Sequence, residues 1–182
     1  MDFYFISPEL INYLKEYETK ERGLTKVPNI EYDKSHNPKF FIGTVLQIRN
    51  YKYFAPMSHY KFQKPNNVLI NIQSDKKNPI KGSIRLNYMF PVKDEYLTKL
   101  KINNITDYKY KRLLMKELNF CNDNEALIEY MALNTYINVI LKTDFDLINN
   151  SCSFSILEQA IDNLPPHSTN EAEDSDKGLT LV

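Results

Sequence analysis

The chain of 182 residues has no tryptophan, four glycines, three histidines and two cysteines. Cys121 and Cys152 lie far apart, with no CxxC and no histidine at metal-binding spacing, so neither a disulfide framework nor a zinc site is predicted. No apolar run reaches the roughly 18 residues of a membrane span. The opening MDFYFISPEL lacks both a basic start and a small-residue cleavage site, so no secretory leader is expected and the protein is predicted to be cytoplasmic. With 42% apolar residues, the length suits one core. The expected organisation is a single domain over residues 1–164 and an acidic, disordered tail over 165–182, where large apolar groups are few.

The most informative scarcity is of acid in the middle. The formal net charge is zero, yet residues 34–93 hold eleven basic side chains and a single acid, Asp75. That polarised segment attracts phosphate backbones. Hard divalent cations bind through carboxylate oxygens, so a metal-dependent hydrolase has little to build on there, and no cofactor is predicted.

What is present reads as α+β. FYFIS (3–7) suits a strand, and Ser7, Pro8 and Glu9 form an N-cap, first position and first-turn acid for a helix to about Thr19. Residues 21–38 read as loop. Residues 40–48, 51–57, 67–73 and 80–92 are rich in β-branched and aromatic side chains and predict consecutive antiparallel strands, with a tight turn at Arg49-Asn50 and a bulge or bend at Gly82. A meander or partly closed barrel follows from that order. Period-3.6 patterns then predict helices from Asp94 to Leu100, over YKYKRLLMKELNF capped by Thr106 or Asp107, from Glu125 to Leu141, and from Phe154 to Leu164. About four helices would thus flank the sheet.

The stretch YFAPMSHYKFQK (53–64) ends an apolar run and then supplies Ser58, His59, Tyr60, Lys61 and Lys64 without a carboxylate. By residue type alone it fits a polyanion site, a catalytic cluster or a solvated loop.

NPKFFIGTVLQIRNYKYFAPMSHYK, the downstream YKRLLMKELNF and the late SCSFSILEQ together resemble the ToxN/AbiQ family of type III toxin endoribonucleases, over roughly residues 3–160, with the lactococcal phage-resistance branch as the nearest likeness. The resemblance implies a curved antiparallel sheet like that of the MazF and Kid toxins. It implies a metal-independent endoribonuclease of a toxin–antitoxin, abortive-infection system, acting on cellular and phage RNA. The implied inhibitor is a repeated pseudoknot antitoxin RNA, joined with the toxin in a closed ring. The protein alone is expected to be a monomer, with no membrane partner. Matching the family's Ala-Pro-(Leu/Met)-hydroxyl-lysine pattern puts its first hydroxyl on Ser58 and its lysine on Lys61; the second hydroxyl position is His59, and the Asn-Pro-Lys lysine is Lys39.

RNA cleavage without metal requires removal of the 2'-OH proton, stabilisation of charge on the pentacoordinate phosphate and a proton for the departing 5'-oxygen. Lys61 and Ser58 suit stabilisation and positioning, and Lys39 suits a second cation or, if its pKa is depressed, a base. His59 is an acid or base by type, but on a regular strand it would face away from Ser58 and Tyr60. Lys34, Lys52, Lys64, Lys76, Lys77, Lys81 and Arg85 are predicted to meet RNA phosphates, with Tyr53 and Tyr60 stacking bases. The competing expectation is a non-catalytic single-stranded RNA-binding module on the same basic sheet.

Overall fold

The computed structural model describes residues 1–30 and 39–165, so the predictions at Lys34 and for the tail from residue 166 onward lie outside the described residues. The chain opens with β1 (Asp2–Ile6) and α1 (Pro8–Arg22). Ser7 Oγ accepts the Glu9 amide at 3.3 Å, and Gly23 closes α1 in the left-handed region at φ 80°. The helix therefore runs past Thr19 to the residue that can end it.

The central hairpin is β2 (Phe41–Ile48) and β3 (Tyr51–Ser58), joined at Arg49-Asn50 with Arg49 at φ 52°. β4 (Asn67–Asn71) and β5 (Ile80–Arg85) follow. Ile70 pairs with Gly82 and Asn71 with Ile80, so Lys81 is the extra residue of a bulge beside the predicted glycine.

Two strand-order expectations are corrected. The sheet runs β4-β5-β3-β2-β1-β7, with β7 at Leu97–Lys99, so the strands do not form a meander and β4 and β7 remain separate edges of an open sheet. The predicted strand over 80–92 breaks at a 3₁₀ turn, Leu86–Tyr88, after which β6 (Phe90–Pro91) pairs with β3 at Tyr53 and Phe54. One edge of β3 is thus shared: β6 takes its beginning, and β5 takes its end at Met57 and Ser58.

Residues 94–100 are also not a helix. A 3₁₀ turn at Asp94–Tyr96 leads into β7, because the free edge of β1 captures the segment: Ser7 N donates to Tyr96 O at 2.9 Å and Leu100 N to Phe3 O at 2.8 Å. Tertiary pairing overrides a weak local preference.

The helices α2 (Tyr108–Asp123) and α3 (Glu125–Ile140) follow, with Asp107 capping α2 through the amides of Lys109 and Tyr110. The short α4 (Phe145–Asn149), missed because five residues show no periodicity, is capped by Asp144. α5 (Phe154–Asp162) completes five α-helices among the described residues.

The core is aromatic: Phe3, Phe41, Tyr53, Phe54, Phe90 and Phe154 are fully buried. Two carboxylates tie the late helices to the sheet and to α1. Glu158 accepts the hydroxyls of Tyr53 at 2.6 Å and Tyr136 at 2.9 Å. Glu18, fully buried, accepts from Thr25 Oγ1, Lys26 N and Ser153 N and pairs with Arg22 at 3.2 Å. A buried charge so fully bonded fixes the approach of α5 to α1.

Candidate active site

Strand register assembles the site. Phe41 faces Pro56 and Ile42 faces Ala55 across the hairpin, and the Met57 amide donates to Phe40 O at 3.2 Å, so the ladder continues before β2 and sets Lys39 opposite Ser58. On its other side Ser58 pairs with Ser83 of β5. Lys39, Ser58 and Ser83 therefore form one cross-strand row, and Arg85, two residues beyond Ser83, shares its face. These residues come from the segment leading into β2, from β3 and from β5, and lie up to 46 positions apart in the chain.

Gly82 permits the close approach. A Cβ built there would lie 2.2 Å from the Ser58 carbonyl oxygen, so only glycine lets β5 run this near the end of β3. Beyond Ser58 the chain turns: Tyr60 N donates to Ser58 Oγ at 3.2 Å, which points His59 to solvent and returns Tyr60 toward Arg85.

The Arg85 guanidinium is held against two rings. Its central carbon lies 4.8 Å from the Tyr60 centroid and 4.8 Å from that of Tyr88. Cation–π contact with the two rings restrains the guanidinium and leaves its remaining N–H groups for an anion. Its Nε is buried with no hydrogen-bond partner in the protein. Phe62, 72% exposed, packs edge-on against Tyr60 at 5.6 Å.

Lys39 lies in a cationic corner. Its Nζ donates to the Asn29 carbonyl at 3.3 Å, while Lys15 Nζ donates to Asn29 Oδ1 at 2.9 Å. Burial, the Arg85 charge and then the Lys15 charge lower the Lys39 pKa below the ordinary lysine value. Among the described residues, no group of three His, Cys, Asp or Glu is placed to hold a metal ion.

The family profile described as toxin ToxN, type III toxin–antitoxin system, matches residues 2–162. The chain belongs to the ToxN family. It is 35% identical to the endoribonuclease ToxN of Pectobacterium atrosepticum across 98% of this chain and 99% of that protein. To the endoribonuclease AbiQ of Lactococcus lactis subsp. lactis the identity is 25%, over 86% and 85% of the two chains. A structure solved in work on a processed non-coding RNA that regulates a bacterial antiviral system superposes with TM-score 0.74 at 32% identity, covering 87% of this chain and 96% of that one. The structure of AbiQ, a lactococcal anti-phage endoribonuclease, matches in fold with TM-score 0.71 at 22% identity, over 89% and 96%.

Of the residues predicted for this ToxN-family site, Ser58, Lys39, Tyr60 and Arg85 come together. Lys61 is exposed and donates to Asn78 Oδ1 at 3.4 Å, so its ammonium leans toward the turn between β4 and β5. His59 is exposed beside the row. Lys64, Lys76 and Lys77 are exposed.

Two predicted RNA contacts are corrected. Tyr53 is fully buried, its hydroxyl bound to Glu158, so it packs the core and stacks no base. Lys81 pairs with Asp75 and its side chain is only 13% exposed, a consequence of the bulge that turns it inward. Lys52 pairs with Asp94 at 2.5 Å and stays partly exposed, about 20 Å along the strand from Ser58, so it lies apart from the row without being withdrawn from the surface.

The tyrosine clamp on Arg85 and the Lys15–Asn29 contact were not anticipated. Tyr88 follows Arg85 by three residues across a turn, a spacing that signals a shared face once the turn is known. Nothing in the sequence links Lys15 to Lys39.

Proposed function

We propose that this chain is the endoribonuclease toxin of a type III toxin–antitoxin system, and that it cuts RNA at a phosphate seated over Lys39, Ser58 and Arg85. The row formed by register, with the clamped Arg85 beside it, carries this reading: two cations and a hydroxyl converge on one face where a single phosphodiester can meet all three. In this mechanism Lys39, whose pKa is lowered by burial and by the Arg85 and Lys15 charges, takes the 2'-OH proton when deprotonated and otherwise serves as the second cation at the phosphate. The 2'-oxygen attacks phosphorus, Arg85 and Ser58 bond the non-bridging oxygens as charge develops, and the bond to the 5'-oxygen breaks. His59 and Lys61, both exposed next to Ser58, are the candidates to return a proton to that oxygen. The products are a 2',3'-cyclic phosphate and a 5'-OH.

The antitoxin is taken to be a tandem-repeat pseudoknot RNA that closes a ring with the toxin, and the protein alone to be a monomer. A likeness to the curved sheets of MazF and Kid toxins draws support from the bulge in β5 and the register shift in β2. A cytoplasmic site of action fits an RNA substrate, and no helix among the described residues is long and apolar enough to cross a membrane.

The test is incubation of purified protein with end-labelled RNA in EDTA, comparing wild type with Lys39→Ala, Ser58→Ala and Lys61→Ala. Wild type is expected to leave cyclic phosphate ends, and Lys39→Ala or Ser58→Ala to slow cleavage by about 10²–10³-fold while RNA is still bound. Tight binding without cleavage under any condition would replace this reading with the non-catalytic RNA-binding module.

A further inference from the structure

Ser83 belongs to the cross-strand row and is fully buried, yet its Oγ has no hydrogen-bond partner in the protein. Leaving a buried hydroxyl unmet costs stability, and such groups are rare. Five buried side-chain polar atoms among the described residues share this state, and a second one, Arg85 Nε, belongs to the next residue on the same face of β5. One of this pair is a donor and the other can both donate and accept. Together they mark a link that the resting protein leaves unmade.

Register says where the Ser83 hydroxyl can turn. Ser83 faces Leu69 of β4 on one side and Ser58 of β3 on the other. The leucine side chain offers nothing to bond. Directly opposed Cβ atoms in a ladder lie about 4.5–5.5 Å apart, so of the staggered positions open to the hydroxyl, the one turned to β3 brings it within reach of Ser58 Oγ. Gly82 lets the strands run this close at that pair. Ser58 Oγ already accepts from Tyr60 N at 3.2 Å. A hydroxyl has two acceptor sites and one proton, so a second bond accepted, from Ser83, fills both sites and turns the Ser58 proton outward. Arg85 Nε–H can donate to Ser83 Oγ at the same time, and bonds in such a chain polarise one another, which makes Ser58 the stronger donor.

We propose that Ser83 is a positioning residue for RNA cleavage: when a phosphate occupies the row, its hydroxyl turns to Ser58 Oγ and aims the Ser58 proton at a non-bridging oxygen. Ser83 itself, covered by its neighbours, does not touch the RNA. The proposal rests on the reading of Lys39, Ser58 and Arg85 as the phosphate site.

The test combines urea unfolding with steady-state cleavage of an end-labelled RNA, for wild type, Ser58→Ala, Ser83→Ala, the double variant and Ser151→Ala. Ser151 is the control, because its Oγ is also buried and unmet but it lies outside the row, after α4. Ser83→Ala removes an unmet hydroxyl, so it is expected to be at least as stable as wild type. It should nevertheless lower kcat by about three- to tenfold, the rate equivalent of one hydrogen bond, with KM unchanged. Ser151→Ala is expected to show the same stability and cleave as wild type. In the double variant, Ser83→Ala should add nothing to the loss caused by Ser58→Ala, because it acts only through that hydroxyl. A wild-type kcat in Ser83→Ala beside a slow Ser58→Ala overturns the positioning role and leaves the phosphate site standing, and so does a loss that persists in full on the Ser58→Ala background. A lower unfolding midpoint in Ser83→Ala would mean a hydroxyl already bonded in the resting fold, and overturns the role as well. If Ser58→Ala cleaves at the wild-type rate, the reading of the phosphate site fails and this inference falls with it.

Discussion

Gly82→Ala tests the architecture of the site at its tightest point. The added methyl would sit 2.2 Å from the Ser58 carbonyl oxygen, whereas ordinary contact begins near 3.4 Å, and the obstacle is backbone that cannot rotate away. β5 must therefore withdraw from β3 by about 1 Å, which breaks the pairing of Ser58 with Ser83. Overpacking of this kind costs about 1–3 kcal/mol, and each lost ladder hydrogen bond about 1 kcal/mol more, giving a total of about 2–4 kcal/mol. In urea unfolding that shifts the midpoint down by about 1–2 M with the slope unchanged. Moving Ser58 by about 1 Å against Lys39 should also slow RNA cleavage by about 100-fold at temperatures where the variant is folded. Gly23→Ala is the control, with open space around the Cβ but φ at 80°; it should cost about 1 kcal/mol and leave cleavage within twofold. Wild-type stability and cleavage in Gly82→Ala would refute the claim that this contact sets the row.

Two further outcomes follow from charge. Burial raises Glu117 from 4.5 to about 7, opposed in part by the Lys81 charge. Its folded pKa thus exceeds the unfolded one, so the folded state holds the extra proton between them, and stability falls as pH rises from about 4.5 to about 7 and levels off above. Glu117→Gln should remove that slope, being close to wild type at pH 5 and more stable by up to about 3 kcal/mol at pH 8, read by urea unfolding at both pH values. An unchanged slope would mean that the carboxylate does not titrate there. Lys52→Ala breaks an ion pair whose side chains are 40% and 69% exposed, so it should change stability by under about 1 kcal/mol and leave cleavage within twofold; a large loss of RNA cleavage would place Lys52 in the RNA path after all.

Much of this protein was determined locally. Ser7-Pro8 and Gly23 delimit α1 and Asp107 starts α2, because caps act within a turn of themselves; Arg49-Asn50 closes the hairpin and the bulge beside Gly82 falls where a residue without Cβ allows it. The basic character of residues 34–93 and the grouping of Ser58, His59 and Lys61 are likewise written in one dimension. Strand order was decided only in three dimensions. β5 inserts between β4 and β3, and β7 replaces an expected helix, since pairing depends on which edge is free and not on the sequence of the paired strand. The same holds for side-chain fate. Tyr53 and Tyr60 read alike in sequence, but alternation and the turn at Ser58 send one to Glu158 in the core and the other onto Arg85. Lys81 and Lys39 read alike too, and a one-residue bulge turns the first to Asp75 while register carries the second to the row with Ser58. Residue types settled which chemistry was available; packing settled which of those groups meet.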